Sequence, residues 1–155
     1  MAVLSWGRGT MEWATSTDGA PGAEWKAFDV PKDGTTNLTT TAGTETVAQE
    51  EGGGTVDVRY GRNSYQLDFE LFVKKGGTRP FNDDDGVIAG EYAIRYTPED
   101  EECEGFLIER GVVRVEETFT TADGKMLHYY VRCLKPKTGK TVKPYTKVVS
   151  DRLGA

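Results

Sequence analysis

Histidine is nearly absent from this chain: the only one is His128. It has no cysteine, serine or second histidine at a useful spacing, which removes the common zinc and nucleophile–base arrangements and leaves a solvated or stacking side chain. Cysteine occurs twice, at Cys103 and Cys133, without neighbouring ligand types, so both read as free thiols of a reducing compartment. No apolar run approaches the length of a membrane span. Residues 1–7 have neither a basic start nor an apolar core, so no secretory leader is expected. No stretch shows an amphipathic helical pattern of useful length.

The remaining motifs carry little chemistry. Asn82-Asp83-Asp84-Asp85-Gly86 shares its acids with calcium loops but lacks their ligand spacing and closing glutamate. Glu99, Asp100, Glu101 and Glu102 read as a solvated surface, because nothing places two of them across a cleft. Gly139-Lys140-Thr141 lacks the earlier glycine and the following helix of a phosphate-binding loop. Trp6, Trp13 and Trp25 would suit either a sugar-stacking platform or core and interface contacts, the commoner use of tryptophan. The expectation is a protein that is not an enzyme and needs no cofactor or metal.

What the chain does have is 155 residues, 19 glycines and β-branched and aromatic residues in short alternating runs. One domain over residues 1–155 can bury a real core without disulfides or metal. An all-β fold follows, an antiparallel sandwich or barrel with long hairpins and at most one short helix. Charge is uneven: from Lys135 onward six basic residues face one acid, a net of +5, while the preceding part holds 13 basic and 24 acidic residues, a net of −11. An acidic body with a basic tail argues against general nucleic-acid binding. It suits copies that meet head to tail, although solvated loop lysines would give the same count.

The clearest pattern lies in residues 52–74. Tyr65, Leu67, Phe69, Leu71 and Val73 alternate with Gln66, Asp68 and Glu70, the signature of a half-buried strand. Val56, Val58 and Tyr60 alternate with Thr55, Asp57 and Arg59 in the same way. Gly61-Arg62-Asn63 between them predicts a tight hairpin with Val56, Val58, Leu67, Phe69 and Leu71 in the core, and Asp57, Asp68 and Glu70 on the polar face.

Elsewhere, residues 1–14 form either a first strand or a detached arm. Asp18-Gly19 is a turn, and Trp25, Ala27 and Val30 read as one face of a second strand. Residues 35–49 are threonine-rich with little to bury, so they lie on an edge or under another chain. Residues 74–86 make a long polar connection of the kind often used at interfaces. Ile88, Tyr92, Ile94 and Tyr96 mark a further strand, and residues 97–102 a short helical turn. Residues 106–108 and 112–119 read as separate strands. In residues 126–134, Leu127, Tyr129, Val131 and Cys133 share a face. Gly139-Lys140 reads as a last hairpin turn, returning 141–149, with 146–155 as a C-terminal arm.

The order of these segments resembles the tail tube (major tail) proteins of long-tailed bacteriophages. The residues that carry it are Trp6-Gly7, Pro31-Lys32-Asp33-Gly34, Gln49-Glu50-Glu51-Gly52-Gly53 before Val56-Asp57-Val58, and Leu67-Asp68-Phe69-Glu70-Leu71-Phe72-Val73. Asp85-Gly86-Val87-Ile88 and Thr121-Ala122-Asp123-Gly124 follow. The resemblance implies a fold shared with type VI secretion tube proteins and subunits that self-assemble into hexameric rings stacked as a hollow tube. It also implies a place in the virion tail after assembly in the bacterial host cytoplasm, with other tail proteins as partners and no membrane. DNA would pass through the lumen without specific binding, and Asp57, Asp68 and Glu70 would face that lumen and repel phosphate. The alternative is a monomeric carbohydrate- or protein-binding β-sandwich module. A lipocalin-like carrier would need a pocket with convergent polar groups, which the sequence does not offer.

Overall fold

A computed structural model describes residues 4–147. Its elements are all strands: β1 (Thr10–Thr17), β2 (Ala20–Pro21), β3 (Lys26–Ala27), β4 (Asn37–Thr41), β5 (Glu45–Gln49) and β6 (Thr55–Tyr60), then β7 (Ser64–Phe72), β8 (Tyr92–Thr97), β9 (Gly105–Thr120), β10 (Gly124–Cys133) and β11 (Val142–Tyr145). Nine of them form one antiparallel sheet along the path β2-β1-β8-β9-β10-β7-β4, with β3 on β1 and β11 on β9. The sheet curls into a half-barrel, and β5 and β6 form a second, two-stranded sheet. The fold is all-β, as composition and alternation predict.

The 16-residue β9 is the spine. Its first part pairs with β8 on one edge, and β11 and then β10 run along the other, antiparallel to it. Ile108 is buried at an even position, yet Val113 and Val115 are buried at odd ones. The register shift between β8 and β9 near Tyr92 and Ile94 accounts for this, since a bulge inserts one residue and exchanges the two faces. What reads as two strands is therefore one bent strand. The Gly139-Lys140 turn does not return the chain against β10. It delivers β11 to the next stretch of the same β9 edge, pairing Val142 with Ile108.

The core fills the concave side. Leu67, Phe69, Ile94, Ile108, Val113, Tyr129 and Val131 are all at or near complete burial. Two irregular segments finish it. Phe28 hangs below β1, its amide donating to Met11 carbonyl, and Phe81 enters from the long connection after β7. Phe81 lies 4.7 Å from Trp13, 4.5 Å from Tyr92 and 5.9 Å from Tyr129, ring centroid to ring centroid. Phe28, rather than Ala27 or Val30, thus faces inward after β3, and Val30 is exposed. The polar connection is anchored further by Asp85-Gly86, a two-residue turn with φ of 49° and 89° and reciprocal bonds between Asp84 and Val87. A Cβ on Gly86 would stand 2.7 Å from the Val115 carbonyl oxygen, so glycine is required there.

Residues 97–102 form a turn closed by the Cys103 amide on the Asp100 carbonyl, not a helical one. The first strand begins at Thr10, pairing with Thr97, so the N-terminal arm shortens at its inner end. Of the C-terminal arm, residues 148–155 lie outside the described residues; Lys147 pairs with Glu101 at 3.6 Å.

Candidate functional site

The long hairpin of the sequence exists, but with a different partner and a different tip. Gly61-Arg62-Asn63 does not fold β6 back on β7. Instead β4 pairs with β7 from Asn37↔Asp68 to Thr41↔Ser64, and β5 pairs with β6 from Glu45↔Tyr60 to Ala48↔Asp57. These pairs keep one register, so β4–β5 and β6–β7 are the two arms of a single hairpin interrupted at residues 42–44 and 61–63. The Gly61 amide bonds to the Thr44 carbonyl across the interruption, and the Gly43 amide to Asn63 Oδ1. The true tip is residues 50–54, where Gly52 and Gly53 both take φ of 94°. The threonine-rich stretch is the outgoing arm, and β4 is an edge strand bonded only to β7 among the described residues.

The two halves of this hairpin have opposite fates. In β7, Leu67, Phe69 and Leu71 are buried as predicted. In β5–β6 no residue is buried: Val56 is 67% exposed, Tyr60 73%, Val47 41% and Val58 38%. Val56 and Val58 are therefore not core residues. Apolar positions fall on even numbers up to Tyr60 and on odd numbers from Tyr65, so the distal apolar face does not continue the core face along the strand. Val47 lies opposite Val58, and with Tyr60 they give the distal hairpin an apolar face that no described residue covers, while Val56 stands exposed at the register shift beside it.

The acids predicted to share a polar face separate accordingly. Asp57 is on the projecting hairpin, where its Oδ1 accepts the Val58 amide. Asp68 and Glu70 are on the convex face of β7, and the structure adds a residue that sequence reasoning gave no role beside them. His128, opposite Glu70 in the ladder, holds Nε2 3.2 Å from Asp68 Oδ2 and Nδ1 3.4 Å from Glu70 Oε1. Its ring stacks on Tyr130 at 4.2 Å, and the Arg114 guanidinium covers that tyrosine at 4.1 Å while donating to Glu116 at 2.7 Å. That hydrogen bond holds the Glu116 carboxyl below its ordinary range. On the other face of the sheet, where Glu117 stands opposite buried Leu127, its carboxyl is lowered in the same way, first by Arg79 and then by Lys125. The convex face thus carries an Arg114–Glu116 ion pair beside Asp68 and Glu70, which share the His128 ring as a hydrogen-bonding neighbour. Among the described residues no group of three or more His, Cys, Asp or Glu is placed to hold a metal ion.

At the other end of the hairpin lies a cleft of about 620 Å³ between residues 5–9, the loop 30–34, and the sheet. Trp6, Val30, Leu38, Tyr96 and Phe106 line it, and a smaller lobe shares Leu38, Tyr96 and Phe106 with it. Tyr96 and Phe106 stack at 5.3 Å, forming its floor. Arg8, Lys32 and Asp33 line the cleft, and Glu104, Lys140 and Lys143 line the smaller lobe, so four cations stand around the two against two acids. Trp6 is 72% exposed there. Trp13 belongs to the core cluster, and Trp25 lies under Arg95, 4.2 Å away, on the opposite side of the sheet where Arg95 meets Glu12. Three tryptophans on two faces do not make one stacking platform.

The chain matches no protein-family model and no curated protein.

Proposed function

We propose that this protein is the structural subunit of a phage or prophage tail tube, whose copies join into rings that stack as a DNA-conducting channel. The observation that carries the reading is the projecting hairpin, residues 42–63, with an apolar face that no described residue covers. A two-stranded ribbon of this kind is at best marginal alone in water, so its sequence makes sense against a partner surface. Open edges support the same reading. β4 offers one free edge, and beyond the Asp85-Gly86 turn the far part of β9 is paired by β10 alone among the described residues. A half-barrel with two such edges is completed by lateral pairing with other copies, which also removes the aggregation hazard of free strands. The convex face, with Asp68 and Glu70 beside the Arg114–Glu116 pair, is a polar lining with little net attraction for phosphate.

Light scattering across a concentration series tests this. Mass that rises with concentration toward a defined ring or tube supports it. A constant monomer mass to the solubility limit removes it and leaves the monomeric binding module.

A further inference from the structure

Resting on that reading, we infer that the projecting hairpin of one copy docks into the basic-rimmed cleft of the next, making a heterologous, head-to-tail contact. The two surfaces match in chemistry. The hairpin presents Val47, Val58 and Tyr60 on one face with Val56 exposed at the register shift, and Glu45, Glu50, Glu51 and Asp57 against a single arginine, Arg59, along β5–β6 and the tip. The cleft and its smaller lobe present Trp6, Val30, Leu38 and the stacked Tyr96–Phe106 pair, with Arg8, Lys32, Lys140 and Lys143 outnumbering Asp33 and Glu104 around them. Of these, Lys32 is engaged with Asp123 at 3.4 Å and Lys143 with Glu109, whereas Arg8 and Lys140 have no ion pair among the described residues. An acidic ribbon with an apolar face thus meets an apolar cleft with uncommitted cations.

The geometry forbids the contact within one copy. Leu38 sits near the start of β4 and the tip follows the end of β5 on the same outgoing arm. At about 3.3 Å per residue that arm carries Glu50 roughly 40 Å from Leu38. Donor and acceptor surfaces therefore lie at opposite ends of the hairpin, and a contact between them repeats from copy to copy in one direction.

Charge exchange tests this with substitutions confined to the surface. The pair Glu50→Lys, Glu51→Lys and the pair Arg8→Glu, Lys140→Glu should each raise the concentration at which assembly begins about tenfold or more, with unchanged melting temperatures. The protein carrying all four substitutions should assemble near the wild-type concentration, because opposite charges face each other again. Tubes that form equally well in both pairs, or a fourfold variant no better than either, would overturn the docking while leaving the tube reading intact. A wild-type protein that stays monomeric throughout would remove both.

Discussion

Replacing Phe81 by alanine probes the segment whose packing the sequence hid most completely. The ring is 4% exposed and is enclosed by Trp13, Phe28, Tyr92 and Tyr129, although it sits in a connection without regular structure. Truncating a fully enclosed phenylalanine removes its transfer free energy and leaves a cavity, together about 3–5 kcal/mol. For a chain of this size each kcal/mol moves the melting temperature by about 2–4 °C, so the expected fall is roughly 10–15 °C. Phe81→Leu, which refills most of the space, should recover more than half of it. Val87→Ala, in the same connection but 68% exposed, should stay within about 0.5 kcal/mol of the parent. Thermal unfolding followed by circular dichroism reads all three. A Phe81→Ala protein melting within about 2 °C of the parent would mean that residues 74–91 are not docked on the core.

The reassigned hairpin predicts that Leu67→Asp abolishes folding, whereas Val58→Asp leaves the melting temperature nearly unchanged; equal damage from both would contradict the exposure of β6. Partial burial against the core pushes the Cys133 thiol up to about 12, so at pH 8 a thiol reagent should label it far more slowly than after denaturant is added. Rapid native labelling at Cys133, located by mass spectrometry, would refute that burial. Tyr129 is likewise pushed up to about 12 by burial, with Arg79 opposing. Its folded pKa lies above the ordinary value near 10, so its contribution is complete below about pH 10 and is lost as the pH rises toward 12. Melting temperatures between pH 9 and 12 should fall more steeply for the parent than for Tyr129→Phe, and parallel curves would exclude this linkage.

Alternation made much of the fold legible. The buried sets Leu67, Phe69, Leu71 and Leu127, Tyr129, Val131 follow directly from a period of two. Pairing was less legible, because alternation fixes which side chains face inward but not which strand lies alongside. Gly61-Arg62-Asn63 has the residues of a tight turn, yet it marks a break within one arm, and the turn falls at Gly52-Gly53. Val56 and Val58 match a core pattern and are exposed, since alternation reads the same whether the apolar face lies on a core or in the open. Phe28 and Phe81 were invisible for another reason: each is a single apolar residue in an irregular segment, where no period exists to reveal its direction. The His128 contacts needed the β7–β10 register, which brings residues 60 apart in sequence within bonding distance.

The central claim is assembly, and electron micrographs of the purified, concentrated protein test it most directly. Rings or tubes of one uniform width, lost on Val56→Asp with Val58→Asp while the fold is kept, are the predicted result. Dispersed monomers at every concentration, with no tube in any field, would contradict the account.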